Sequence, residues 1–226
     1  MKTRLFICVC ILFSLLSCSS SEKEQLETAL AFADTNRAEL EKVLEYYKND
    51  SLKLKAAIYL IENMPLYYTY KGSDLDSLHI ALEQYAVSDS YDKHLEYLKR
   101  FPYRNLFKEY DAKVITSEYL IENIEYSFKV WRETPWGKYV SFDNFCEFIL
   151  PYRIKDEPLT HWKKDFYHRF KPVLDSLYQG TDVVEATSCL SNYATSLHWK
   201  YQNELTGPHL SAQLLLELQL GDCTSI

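Results

Sequence analysis

The chain has 226 residues, 47% of them hydrophobic and 15% aromatic, which is a globular composition with material for one or two cores, not a disordered one. Its 25 basic and 32 acidic residues give a net charge of −7 without a basic stripe, which argues against a nucleic-acid partner. Five Gly and seven Pro are too few for a sandwich of many short strands.

The N-terminus stands apart from the fold. Lys2 and Arg4 precede an apolar run, Leu5 to Leu16, of signal-peptide length and short for a membrane span. The run closes on Leu15-Leu16-Ser17-Cys18, which resembles the lipobox of bacterial lipoproteins. The resemblance implies cleavage after Ser17 and acylation of Cys18, with several acyl chains anchoring firmly where one would not. Ser19 in place of Asp after the cysteine implies the outer membrane of a Gram-negative cell. An ordinary signal peptide cut near Ser17 is the alternative. Residues 1–17 are thus read as signal peptide and 18–23 as a tether; their removal leaves 23 basic against 32 acidic residues, near −9. Cys8 and Cys10 leave with the signal, and Cys146, Cys189 and Cys223 remain beside Cys18. None has CxxC spacing, so no metal site is expected. Two structural thiols and one reactive thiol is the preferred division; a disulfide plus one free thiol is the other.

From residue 24 the pattern is helical, and the chain reads as mainly α. Leu26, Ala29, Leu30 and Ala33 form a first stripe at helical spacing. Asn36 with Glu39 three residues on reads as a capping box for a helix bearing Leu40, Val43, Leu44 and Tyr47. Asp50-Ser51 caps a third, with Leu54, Ala57, Ile58 and Ile61, stopped by Pro65. Tyr67 to Gly72 is aromatic and irregular. Further helices are predicted from Asp74, from Asp89, and from Asp111 or Thr116, the last carrying Leu120, Ile121, Ile124, Phe128 and Trp131. The phrase Tyr119 to Ile124 repeats Tyr59 to Met64, which is read as two core helices of similar composition. Pro135-Trp136-Gly137 is a turn. Ser141 caps a short helix ended by Pro151, and Thr160 starts another that Pro172 is expected to end or kink. Asp182 with Glu185 opens the next, and Ser211 caps a leucine-rich helix running to Gly221. The only strand candidates are Lys113 to Ile115 and Tyr139-Val140.

Three stretches carry a family resemblance: Leu40 to Pro65, Trp131 to Pro158, and the closing LLLELQLGDC before Thr224. They resemble lipoproteins with a transglutaminase-like domain, in which a helical region precedes a papain-like cysteine core. The resemblance implies a helical region over 24–207 and the first helix of an incomplete α+β core over 208–226, with Cys223 as nucleophile. The chemistry would be acyl transfer or amide hydrolysis through a thioester, on a protein or peptide substrate and with no cofactor. A cysteine at a helix N-terminus has a lowered pKa, which favours the attacking thiolate. The family's His and Asp are expected beyond Ile226, and residues 1–226 alone are expected to be inactive. Papain-type sites place Gln six residues before the cysteine; Glu217 stands there, with Gln219 a weak substitute.

Other candidates have plainer readings. His198 and His209 precede Cys223 and are read as a packed and a surface histidine. His161 and His168 lie seven apart, which is poor spacing for a helical metal pair. Lys163-Lys164 is read as a solvated face. Leu214, Leu215 and Leu216 are expected to lack core partners. A non-catalytic helical binding or scaffold lipoprotein is the alternative function.

Overall fold

The computed structural model describes residues 23–87, 105–197, 200–201 and 208–221, and these are mainly helical. In chain order they form α1 (residues 23–32), α2 (Arg37–Tyr46), α3 (Ser51–Asn63), β1 (Tyr68–Lys71), α4 (Asp74–Val87), β2 (Phe107–Tyr110), α5 (Ser117–Glu133), α6 (Phe142–Phe148), α7 (Trp162–Leu177), α8 (Val183–Ser196), β3 (Lys200–Tyr201), α9 (Ala212–Leu218) and β4 (Leu220–Gly221). β1 and β2 pair antiparallel with Tyr68 opposite Tyr110, and β3 and β4 pair parallel.

Side-chain caps start several helices where the sequence marks them. Asp50 accepts from the Lys53 N–H at 3.1 Å, Thr116 from Tyr119 at 3.2 Å, Ser141 from Asn144 at 3.2 Å and Ser211 from Leu214 at 3.2 Å. Each satisfies a backbone donor that a helix start leaves open. Asp182 does the same for Val184 and Glu185.

The Asn36–Glu39 capping box does not form. Asn36 is itself αR and makes no cap bond; its Nδ2 donates to the carbonyls of Ala112 and Ile115 at 3.0 and 2.9 Å. Glu39 accepts from the Ser117 N–H and Oγ at 2.8 and 2.7 Å. Both side chains thus tie α2 to the start of α5, a long-range use that local spacing does not reveal.

The main core joins α1, α2, α3, α5 and α6. Leu40, Val43, Ile61, Met64, Leu120, Ile124, Phe128 and Phe145 are wholly buried there. The two copies of the repeated phrase lie on α3 and α5 and both feed this core, through Leu60, Ile61 and Met64 and through Tyr119, Leu120 and Ile124. Phe128 and Trp131 pack on Phe145 with ring centroids 4.7 and 4.4 Å apart. A second, smaller core sets Leu78, Ala81 and Leu82 of α4 against Leu210 and Leu215, with Leu214 at its edge. Leu216 is also buried. The leucines of α9 therefore do have partners, contrary to the sequence reading, because α4 offers them an apolar face.

Other departures are local. Tyr68–Lys71 is a strand, since its alternation finds a partner in β2; Thr69 turns inward and is buried while Tyr68 and Tyr70 are half-exposed. Neither predicted strand forms: Asp111–Lys113 and Gly137–Tyr139 are 3-10 turns. Pro172 does not end α7, which runs through it to Leu177. Pro172 and His168 are both exposed, so the missing helical donor falls on a solvent-facing side of the helix. α9 stops at Leu218, with Gln219 left-handed at φ 50°, three residues before the expected glycine. The helix predicted from Asp89, His198, and the key positions Cys18 and Cys223 lie outside the described residues.

Gly137 is fixed by close approach: a Cβ there would stand 1.7 Å from the Trp131 carbonyl oxygen, which belongs to the backbone. Gly137→Ala is expected to cost about 1–3 kcal/mol, read as a lower urea midpoint at unchanged slope.

Candidate functional site

The irregular stretch between α6 and α7, from Ile149 to Glu157, is where the helical region meets the segment that leads to Cys223. Two prolines, Pro151 and Pro158, keep it out of regular structure. Its polar backbone is satisfied by side chains reaching in. Asn123 donates to the Leu150 carbonyl at 2.8 Å, Trp162 Nε1 to Tyr152 at 2.8 Å, and Thr69 Oγ1 to Asp156 at 3.1 Å.

Lys163 supplies the densest part of this. Its Nζ donates to Ser127 Oγ at 2.7 Å and to the carbonyls of Ile149, Leu150 and Pro151 at 2.7, 3.2 and 2.9 Å. The residue is half-buried, with its ammonium enclosed by these four acceptors, so the reading of a solvated face is corrected for Lys163. Burial pushes the amine down to about 7; the carbonyls at the end of α6 oppose this by favouring the cation. Lys164 remains on the surface and pairs with Glu122 at 3.0 Å.

Arg153 is the anchor of the stretch. It donates to Asp111 Oδ1 at 2.7 Å and to the Tyr68 carbonyl, with side-chain exposures of 1% for Arg153 and 0% for Asp111. The pair joins the end of β2, the start of β1 and the α6–α7 connection. Burial raises the Asp111 carboxyl to about 6, against the pull of the Arg153 charge.

Two residues beyond Arg153 the chain turns through Lys155, left-handed at φ 51°. That turn presents two carboxylates to the C-terminal segment. Asp156 Oδ1 accepts from the His209 backbone N–H at 3.2 Å and from its ring Nδ1. A carboxylate only accepts, so Nδ1 is the donor in this contact. Glu157, 5% exposed, takes the Ile154 N–H at 2.7 Å. Burial raises its carboxyl, while the N–H groups of Ile154 and Ala212 and the charge of Arg153 oppose the shift. Ser211 caps α9 two residues past His209, and α9 then leads through the Gln219 turn into β4.

The structure thus places His209 in a carboxylate-held, half-buried position where the sequence suggests a surface loop. Arg153, Asp156 and Glu157 were not singled out by the sequence; a cluster of charges between two prolines was the available signal. His161 and His168 do not converge on a metal: Nδ1 of His161 meets Glu122 at 2.5 Å and Nε2 of His168 meets the Tyr126 hydroxyl at 2.9 Å. No metal-ligating cluster occurs among the described residues. Cys146 is buried and Cys189 half-buried, both free. Burial pushes the Cys146 thiol up to about 11, so it is inert as a nucleophile at neutral pH.

Compared with protein-family models, with curated proteins and with solved structures, the chain gives no significant match.

Removing one member of a buried ion pair leaves the other charge unpaired. Asp111→Ala is expected to cost about 3–5 kcal/mol in urea unfolding. With Asp111 raised to about 6, the folded state binds the extra proton between about pH 4 and 6, so this residue's contribution to stability falls as pH rises through that window. Asp111→Asn is expected to remove that downward slope from a plot of urea midpoint against pH. Lys163→Met, which strips three carbonyls of a shared donor, should lower stability by about 2 kcal/mol or more, measured the same way.

Proposed function

We propose that this is a lipid-anchored, exported protein of the transglutaminase-like type, in which Cys223 is the nucleophile of a cysteine acyl-transfer or amidase reaction. The helical region serves as the support on which the cysteine segment is mounted. One observation carries this reading. Residues 208–221 are docked on the helical region by His209–Asp156, by Leu210 and Leu215 in the α4 core, and by β3–β4 pairing up to the residue before Asp222-Cys223. The chain is fixed in place immediately ahead of the proposed nucleophile, as preorganised catalysis requires.

The reaction would begin with thiolate attack on an amide carbonyl of a protein or peptide, releasing ammonia or an amine and leaving a thioester on Cys223. Water or an amine then takes the acyl group. An imidazole must move the proton at each step and a carboxylate must orient that imidazole. In the resemblance these come from sequence after the cysteine.

Cys18 is the proposed attachment to the membrane. No helix among the described residues is long and apolar enough to cross one.

The test uses the full-length product of the gene with a glutamine-containing peptide and a fluorescent primary amine. Ammonia release or amine incorporation is expected, and Cys223→Ala should abolish both while leaving the urea midpoint unchanged. Activity that survives Cys223→Ala would overturn the nucleophile assignment, and the absence of activity in the wild-type protein would favour a binding or scaffold role. Cys18→Ala is expected to end metabolic labelling with palmitate and release the protein from the membrane fraction.

A further inference from the structure

An open cavity of about 430 Å³ lies between the first turn of α3 and the second half of α5. Five charged side chains line it: Lys53, Lys129 and Arg132 against Glu125 and Glu133. The balance is one positive charge, on a chain whose net charge is −7. The two signs differ in how they are committed. Glu125 takes Lys53 Nζ on both oxygens at 2.6 Å and the Tyr47 hydroxyl at 2.9 Å. The Lys53 side chain is only 15% exposed, so this pair is closed on itself. Glu133 accepts the Tyr167 hydroxyl from α7.

Lys129 and Arg132 are held by aromatic faces instead. Lys129 Nζ lies 4.4 Å from the Tyr167 ring centre and 5.7 Å from that of Tyr126, and the Arg132 guanidinium lies 5.0 Å from that of Phe128. Among the described residues neither cation has an ion pair or a hydrogen bond. A ring face orients a cation without satisfying its N–H donors, so these remain for a ligand. The two residues are three positions apart on α5 and therefore share a face. The first turn of α3 and the last turn of α5 both border the cavity, and their opposite dipoles offset each other.

A planar fork beside a point charge suits an oxyanion with more than one charge and more than two acceptors. A carboxylate has one charge and two oxygens, which the arginine alone would occupy. A phosphate monoester above its second pKa of about 6 carries nearly two charges on three terminal oxygens, enough to engage both side chains. At about 30 Å³ for each water in the liquid, the cavity equals roughly fourteen waters, which leaves room for a small organic body behind the phosphate.

We propose that this cavity binds a phosphate monoester, its oxygens between Lys129 Nζ and the Arg132 guanidinium. The source is a small soluble phosphomonoester or the phosphomonoester headgroup of a lipid. The site is built wholly from α3 and α5, and its test reads nothing of Cys223.

The experiment is saturation-transfer NMR on the full chain at pH 8, with glycerol 3-phosphate, acetate and glycerol as probes. Glycerol 3-phosphate is expected to saturate and to bind about tenfold tighter than acetate, with no saturable binding of glycerol. Lys129→Gln and Arg132→Gln should each weaken it about tenfold with the circular dichroism spectrum intact. Glu133→Gln, which removes a repelling carboxylate, should bind it at least as tightly as the wild type. A second arm measures co-sedimentation with phosphatidylcholine vesicles with and without phosphatidic acid; a lipid anchor acts equally on both, so a difference reports the headgroup. Added association that Arg132→Gln abolishes would assign the site to a lipid, and glycerol 3-phosphate binding without it would assign a soluble ligand; both outcomes support the proposal. No saturable binding of glycerol 3-phosphate, equal binding of acetate, unchanged affinity in either cation variant, or weaker binding in Glu133→Gln would overturn it.

Discussion

The buried pair Asp111–Arg153 is the constraint on which the rest of the architecture depends. It lies 42 residues apart in sequence and is almost wholly withdrawn from water. Two charges so placed stabilise a fold only when geometry and further hydrogen bonds compensate their lost hydration. Here the guanidinium also takes the Tyr68 carbonyl, so one side chain holds β1, the end of β2 and the α6–α7 connection in a single arrangement. Displacing either partner would leave a buried charge unpaired, which ties the connection to this arrangement.

From that anchor the geometry propagates over a few residues. Arg153 fixes Ile154, Lys155 turns the chain, and Asp156 and Glu157 meet His209 and the first turn of α9. Lys163 holds the preceding carbonyls from the other side, so the connection is gripped by α5, α7 and the strand pair at once. The segment ahead of Cys223 thus contacts the helical region three residues from this salt bridge, through Asp156 and His209. This gives the helical region a role in the proposed chemistry, as the rigid mount of a nucleophile.

The helices were legible because their information is local. Asp50, Thr116, Ser141, Asp182 and Ser211 are caps with donors two or three residues away, and the apolar stripes repeat at helical spacing. What was not legible is what local spacing cannot encode. Asn36 and Glu39 have the pattern of a capping box and serve residues nearly eighty positions away. The Tyr68–Lys71 strand is four residues long, and its partner follows the whole of α4. Lys163 looks like one of a pair of surface lysines until α6 delivers its carbonyls. His209 gains significance only once Arg153 has placed Asp156. The lipidation and nucleophile positions, Cys18 and Cys223, rest on resemblance to known sequence patterns and lie outside the described residues.

The most direct measurement is competitive alkylation of the full-length protein at pH 7, scored cysteine by cysteine by peptide mass spectrometry, in wild type and in Arg153→Met. If the helical region mounts an activated thiol, Cys223 should react faster than half-buried Cys189 in the wild type and fall to the rate of an ordinary thiol once Arg153 is lost. Buried Cys146 should stay slow in both proteins, which shows that the main core persists. A Cys223 that reacts no faster than Cys189, or whose rate is indifferent to Arg153 while Cys146 stays protected, would contradict the account.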